Sequence, residues 1–247
     1  KYYIKLINLG LRGNTSVITT SKYAKSKLER SFSKKNLSII VIFQSFLKSK
    51  MDDDSILKTL NLEDSDFLLH VGSFDKRKDL ITLVKAFKLL KEDAKNKHLK
   101  LVLAGKKILN GNAEVLNELE RYILKNNLSK SVLMTGYLSN AEISSLYKKA
   151  LIYVFPSIEE GFGIPILEAF AMKTPVVTSN AGAMVEVAQG AAEHYNVGDY
   201  IELFKTLTKL IISKPERTYL IEKGSKRLKD FSREKFIDDY EQLILKS

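Results

Sequence analysis

Short apolar runs, rich in β-branched and aromatic residues, alternate with longer amphipathic segments over most of the chain. The short runs are bounded by turn residues, which is typical of buried strands, and the longer segments carry apolar residues at helical spacing. This alternation predicts an α/β fold, with a Rossmann-like parallel sheet and helices on both of its faces. We predict strands near residues 67–71, 99–104, 131–134, 151–155 and 175–178. We predict helices near residues 79–92, 113–126, 139–149, 165–172, 200–213 and 231–245.

The segment 156–169 carries the most informative pattern, because two carboxylates flank a glycine-bracketed turn between a strand and a helix. Glu160 lies in the predicted loop and Glu168 on the predicted helix. Gly161 and Gly163 allow the backbone to approach a ligand, and the free N–H groups of a helix start favour a phosphate. Since carboxylates accept hydrogen bonds from sugar hydroxyls, the segment could hold a diphosphate between two hydroxyl-bearing rings. The alternative is an ordinary strand, turn and helix with solvated acids.

A pair of cations, Arg77 and Lys78, follows the predicted strand 67–71 and a turn at Gly72. Ligands of parallel sheets bind at the carboxyl ends of the strands, so these cations are expected at the ligand-binding edge. A fixed cation pair could neutralise a diphosphate and stabilise its growing charge as a bond breaks, and no metal would then be needed. The alternative is a pair of solvated cations ahead of the next helix.

A second glycine turn follows the predicted strand 175–178. Gly182 and Ala183 precede a stretch that should begin another helix, whose first amides would give a second set of donors near the phosphates. Glu186 lies in the first turn of that helix, where the helix dipole favours an acid.

The composition excludes several chemistries. Cysteine is absent, so the chain has no disulfide, no thiol nucleophile and no cysteine metal ligand. The three histidines, His70, His98 and His194, are far apart in the sequence and lack the spacing of metal ligands. We therefore expect no metal centre and no cofactor.

The formal net charge of +11 is concentrated in the N-terminal fifth of the chain. Residues 1–50 contain eleven lysines and arginines and one acid, Glu29, which gives this segment a net charge of +10. The segment could contact anionic lipid headgroups. Nucleic acid is a less favoured partner because no recognition motif accompanies the charge. A solvated lysine-rich surface without a partner is the third explanation.

No apolar run approaches the roughly 20 residues of a membrane span, and no signal-peptide pattern opens the chain. We therefore expect a cytoplasmic protein, peripheral at most to the inner face of the membrane.

Five motifs, taken together and in order, resemble family 4 of the retaining glycosyltransferases, which have the GT-B fold. The resemblance covers roughly residues 65–190 of the chain. The chain departs from the family pattern at Ser73, where many relatives have arginine, and at Ala183, where most have a second glycine. The motifs lie at residues 71–78, 101–105, 135–139, 156–169 and 174–180.

The resemblance implies a role for each candidate residue. Glu160 would contact hydroxyls of the transferred sugar, and Glu168 would hold the ribose of the nucleotide. Arg77 and Lys78 would stabilise the departing diphosphate. The other donor-binding residues would act mainly through their backbone, and they are Gly72, Gly161, Phe162, Gly163, Ile164, Gly182 and Ala183.

The resemblance also implies a domain organisation. Residues 1–48 resemble the end of an acceptor-side N-terminal domain and its linker, with a strand near 17–20, a helix near 21–30 and a strand near 37–42. Residues 49–247 resemble the C-terminal domain that binds the nucleotide sugar. On this reading the chain looks truncated, because most of the acceptor-side domain is missing.

The activity that the resemblance implies is transfer of a sugar from a nucleotide sugar to a glycan or lipid-linked acceptor, with retention of the anomeric configuration. The expected role is synthesis of a cell-surface polysaccharide or a glycolipid. Two alternatives are a non-catalytic module that binds nucleotide or glycan and a sugar-nucleotide epimerase of the same fold.

Overall fold

Six parallel strands form the main sheet in a computed structural model that describes residues 16–32, 37–46, 52–106 and 113–246. Two further strands pair in parallel near the N-terminus. The strands of this small sheet are β1 (Ser16–Thr19) and β2 (Ser38–Val41). Those of the main sheet are β3 (Phe67–Val71), β4 (Lys100–Ala104), β5 (Val132–Gly136), β6 (Ile152–Phe155), β7 (Val176–Ser179) and β8 (Glu193–Tyr195).

Helices connect most of these strands. Within the described ranges the α-helices are α1 (Lys22–Ser31), α2 (Ser55–Thr59), α3 (Leu80–Glu92), α4 (Ala113–Lys125), α5 (Asn140–Lys149), α6 (Ile164–Ala171), α7 (Met184–Ala188), α8 (Tyr200–Ile212), α9 (Lys214–Arg227) and α10 (Arg233–Lys246). Short 3₁₀ turns lie at Lys76–Lys78, Ala94–Asn96 and Leu228–Phe231. None of the helices in these ranges is long and apolar enough to cross a membrane.

The strand order of the main sheet is β5-β4-β3-β6-β7-β8. The chain builds outward from β3 to β5, returns to the other side of β3 as β6, and continues to β8. The order therefore reverses between β3 and β6, and ligands of open parallel sheets bind in the crevice at such a switch point. The loops after β3 and β6 are the two that carry the predicted cations and glutamates.

Both faces of the main sheet are buried, which explains why its strands are apolar almost throughout. Successive side chains of a strand point to opposite faces, so Phe67 and Leu69 of β3 belong to one hydrophobic core and Leu68 to the other. Helices α5, α6 and α7 contribute to the first core, and α3, α4 and α8 to the second. The predicted fold class, a parallel sheet with helices on both faces, is confirmed.

The predicted strands and helices agree with the structure to within a few residues, including the N-terminal strand, helix and strand. The sequence prediction missed β8, α2 and α9. Strand β8 has only three residues and begins with two polar ones, so it lacks an apolar run. Helix α9 is mostly polar, and its buried residues are Leu220 and Gly224. The domain boundary predicted at residue 48 and much of the basic segment, including residues 1–15, lie outside the described residues.

His70 of β3 is a fully buried titratable residue, and its Nδ1 lies 3.1 Å from the carbonyl oxygen of Val154. Burial lowers the pKa of His70 from 6.5 to about 4. In the unfolded chain the imidazole takes up its proton near pH 6.5, whereas in the folded protein it stays neutral down to about pH 4. The unfolding free energy should therefore decrease as the pH falls through this window, by up to about 3 kcal/mol from His70.

We expect His70→Asn to reduce the pH dependence of the unfolding free energy between pH 6.5 and pH 4, measured by urea denaturation at a series of pH values. The matched control is His98→Asn, because the His98 side chain is 63% exposed. The control should keep the wild-type pH dependence. A His70→Asn protein with unchanged pH dependence would show that the buried imidazole is not held neutral.

Candidate functional site

The carboxyl ends of β3 and β4 form a close backbone contact at the floor of the crevice. The amide of Gly72 donates to the carbonyl oxygen of Ala104, at 2.9 Å. Gly105 has a φ of +154°, and a Cβ on this residue would lie 1.8 Å from the carbonyl oxygen of Gly72. Only glycine fits at residue 105, and its small size allows the turn after β3 to approach its neighbour.

The turn after β3 is organised by Asp75. The hydroxyl of Ser73 donates to this carboxylate at 2.7 Å, and the amide of Arg77 donates to it at 2.9 Å. Burial raises the pKa of Asp75, but these hydrogen bonds and the nearby guanidinium outweigh burial and hold the pKa below its ordinary value. Ser73, where many family members have arginine, is thus used here to fix the Asp75 side chain.

The two predicted cations point in different directions. Lys78 turns into the crevice, where its Nζ lies 2.5 Å from Oε1 of Glu160 and 4.8 Å from the centre of the Phe155 ring. Its side chain is 11% exposed, and that of Glu160 is 17% exposed. The Arg77 side chain is 64% exposed, and its Nε lies 3.3 Å from Asp75. The structure therefore brings Lys78, rather than Arg77, directly to the glutamate.

The loop from β6 to α6 holds Glu160 against this turn. The amide of Ile158 donates to the carbonyl oxygen of Arg77, at 2.8 Å, which joins the two loops through their backbone. Gly163 then adopts a φ of +115° and starts α6, with Pro165 in the first turn. Among the described residues, no side chain caps the start of α6. The anion site at Gly163 and Ile164 stays a prediction, which the lack of a side-chain cap leaves open.

Phe162 anchors the loop through its side chain. Its side chain is 6% exposed and packs in the hydrophobic core, where its ring centre lies 6.1 Å from that of Phe43 and 5.7 Å from that of Phe231. These contacts anchor the loop next to Gly161, which is itself exposed.

Glu168 of α6 lies in the wall of a cavity of about 330 Å³ that Val71 and Asn140 also line. The hydroxyl of Tyr147 donates to Oε2 of Glu168 at 3.1 Å. Burial raises the pKa of Glu168 above its ordinary value, although the bond from Tyr147 opposes this change. Burial also raises the pKa of Tyr147, which keeps this hydroxyl a donor.

The second glycine turn packs against the loop backbone. Gly182 has a φ of +58°, and a Cβ on it would lie 2.7 Å from the carbonyl oxygen of Glu160. The amide of Ala183 donates to the same oxygen at 3.0 Å. This geometry does not support the prediction that the Ala183 amide binds a phosphate, because that amide is already used to hold the Glu160 loop. Gly182, which has no side chain, allows this turn to approach the backbone of Glu160 closely.

The sequence prediction missed two contributors to the site, Tyr147 and Gly105. Tyr147 appears in the sequence as one apolar position of a predicted helix, and its contact with Glu168 depends on the packing of α5 against α6. Gly105 is the last residue of a strand motif in the sequence. The sequence does not show that the carbonyl oxygen of Gly72 lies where a side chain of residue 105 would be. Among the described residues, no cluster of three or more metal-ligating side chains occurs.

A family model and several known proteins match the sequence of this chain. The family model described as Glycosyl transferases group 1 matches residues 52–227. The O-antigen chain mannosyltransferase RfbU of Salmonella typhimurium is 29% identical over 198 residues, which are 80% of this chain and 51% of that protein. The chain spans about half the length of the curated relatives it matches.

Solved structures show the same fold. Sucrose-phosphate synthase of Thermosynechococcus elongatus superposes with a TM-score of 0.82 at 25% identity, over 99% of this chain and 62% of that chain. Anabaena Alr3699/HepE, in complex with UDP and glucose, superposes with a TM-score of 0.82 at 18% identity, over 98% of this chain and 66% of that chain. At this identity the similarity shows the fold alone.

The fold is thus that of the GT-B glycosyltransferases. The chain belongs to the Glycosyl transferases group 1 family, which confirms the resemblance to glycosyltransferases. Membership of family 4 and retention of configuration stay predictions.

We expect Gly182→Ala to destabilise the protein more than Gly190→Ala does. Both glycines have a positive φ, +58° and +78°, so both substitutions introduce backbone strain. At Gly190, however, an added Cβ meets nothing within 4 Å, whereas at Gly182 it meets the Glu160 backbone. Urea denaturation should give an unfolding free energy for Gly182→Ala about 1–3 kcal/mol below that of Gly190→Ala. Equal values would mean that the two loops can separate at little cost.

Proposed function

We propose that this chain binds a nucleotide sugar and forms the donor side of a retaining glycosyltransferase. The observation that carries the proposal is that Lys78 pairs with Glu160 in the loop after β6, while Tyr147 bonds to Glu168 on α6, the helix that follows this loop. A nucleotide sugar needs these kinds of groups, because its two rings offer hydroxyls to acceptors and its diphosphate is bound by a cation and by helix amides.

The proposed roles follow from charge and burial. Glu168 accepts hydrogen bonds from the ribose, because Tyr147 occupies only part of its carboxylate. Glu160 accepts hydrogen bonds from the sugar that is transferred. Lys78 moves from Glu160 towards the diphosphate, where its ammonium group stabilises the charge of the leaving group. The exposed Arg77 side chain turns from Asp75 to add a second positive charge.

Neither a metal nor a cofactor enters the proposed reaction, since two cationic side chains and the start of α6 can offset the charge of the diphosphate. The acceptor is proposed to be a glycan or a lipid-linked saccharide, and the product a cell-surface polysaccharide or glycolipid. The name of RfbU, an O-antigen mannosyltransferase, favours this class of acceptor and a mannosyl donor.

A peripheral membrane position at the cytoplasmic face remains part of the proposal, with anionic lipid as the partner of residues 1–50. Within the described residues the positive charge of α1 is partly neutralised, because Lys25 lies 3.9 Å from Glu29 and Lys27 lies 2.6 Å from Glu159. Such a membrane contact would therefore depend mainly on the basic residues before and after this helix.

We expect one class of nucleotide sugar to bind this chain in calorimetric titrations with UDP, GDP, ADP and dTDP sugars. Lys78→Met should weaken that binding at least tenfold, because it removes the charge facing the diphosphate and leaves Glu160 unpaired. Glu168→Gln should weaken it about 10- to 100-fold, since a charged hydrogen-bond acceptor is lost.

Two matched controls test the specificity of these effects. Lys76→Met removes the same charge from an exposed residue of the same 3₁₀ turn, and Glu118→Gln neutralises an exposed acid of α4. Both should change the dissociation constant less than twofold. The donor-site proposal fails if neither this chain nor the full-length gene product binds a nucleotide sugar. Binding without turnover by the full-length product would instead identify a non-catalytic module, and release of free sugar without any acceptor would identify an epimerase.

A further inference from the structure

Glu186 of α7 makes hydrogen bonds to the start of a helix that lies far away in the sequence. Its carboxylate accepts from the amide of Lys22 at 2.9 and 3.0 Å and from the amide of Tyr23 at 3.3 Å. The first amides of a helix have no partner within that helix, and its dipole favours a negative charge at this end. Helix α1 is therefore capped in part by the side chain of α7.

The same end of α1 also holds the loop that carries Glu160. The hydroxyl of Ser21, which is fully buried, donates to the carbonyl oxygen of Gly161 at 2.6 Å and accepts from the amide of Ala24. On the other side of Glu160, the carboxylate of Glu159 accepts from the hydroxyl of Tyr23 at 2.9 Å and pairs with Lys27 at 2.6 Å. Helix α1 thus contacts the residues directly before and directly after Glu160.

A third contact closes the arrangement. The amide of Ala183, the residue before α7, donates to the carbonyl oxygen of Glu160 at 3.0 Å. Helix α1, the Glu160 loop and the start of α7 are therefore bonded pairwise, with Glu160 at the centre. Without the bonds to Glu186, α1 is no longer fixed against α7, and Ser21 and Tyr23 no longer hold the Glu160 loop in one position. The loop then depends on Ala183 and on the packing of Phe162.

We propose that Glu186 is a positioning residue of the donor site, which fixes α1 so that Ser21 and Tyr23 hold Glu160 in place for the transferred sugar. This inference rests on the donor-binding function proposed above. None of the residues that line the cavity of Glu168 belongs to α1, so binding of the nucleotide at this cavity should be independent of Glu186. The position of the N-terminal segment is thereby coupled to recognition of the sugar and not to recognition of the nucleotide.

The test is a comparison of two ligands in calorimetric titrations of the whole chain. The ligands are the nucleotide sugar that binds the wild type and the corresponding nucleoside diphosphate. Glu186→Gln removes the negative charge that accepts hydrogen bonds from the amides of Lys22 and Tyr23. We expect this variant to lose about tenfold in affinity for the nucleotide sugar. Its affinity for the nucleoside diphosphate should change less than twofold. Ser21→Ala should show the same selectivity. The double variant should lose less than the product of the two single effects, because both residues act through α1.

Glu202→Gln is the matched control. The carboxylate of Glu202 also accepts from a backbone amide, that of Asn196 at 2.7 Å, but it makes no contact with the Glu160 loop. This variant should leave both affinities unchanged. If Glu186→Gln does not fold, Ser21→Ala alone provides the comparison of the two ligands.

The possible results separate this inference from the proposed function. Failure of the wild type and of the full-length product to bind any nucleotide sugar would overturn the donor site itself. If the wild type binds but the Glu186 and Ser21 variants lose affinity for both ligands equally, the residues have only a general structural role and the inference is wrong. Unchanged affinity for both ligands would also overturn it.

Discussion

The reversal of strand order between β3 and β6 is the constraint on which the rest of the structure depends. Because these two strands are neighbours and parallel, their carboxyl ends open into one crevice, and loops separated by about eighty residues of sequence face each other. The ion pair of Lys78 and Glu160 is a direct result, since each residue follows one of the two strands. Gly105 and Gly182 allow backbones to approach each other where these loops converge.

Much of the fold could be predicted from the sequence because each central strand is buried on both faces and therefore forms a continuous apolar run. Elements that carry little apolar surface, such as β8 and α9, lack this signal and were missed. It could also be predicted that the candidate residues follow the ends of two strands, because the apolar runs and the glycine turns locate those ends. The strand order itself was not predicted from the sequence.

What the sequence could not provide is the direction of individual side chains. Arg77 and Lys78 are adjacent and chemically alike, so the sequence analysis treated them as a pair. The structure separates them, since Asp75 holds the turn and directs Lys78 inward and Arg77 outward. The role of Glu186 shows the same limit, because an acid in the first turn of α7 is explained locally by the helix dipole. Its actual partners are the amides of α1, more than 160 residues earlier in the chain.

The ion pair of Lys78 and Glu160 also bears on how the site would discriminate between ligands. Both side chains are largely buried, and removing one partner of a buried pair leaves the other charge poorly compensated. A ligand that supplies only phosphates would draw Lys78 away and leave Glu160 without a donor, whereas a free sugar would offer hydroxyls to Glu160 but no charge to Lys78. An intact nucleotide sugar replaces both partners at once. In the proposed donor site, the pair would therefore favour the complete donor over either of its parts, because Lys78 and Glu160 follow the ends of two neighbouring strands.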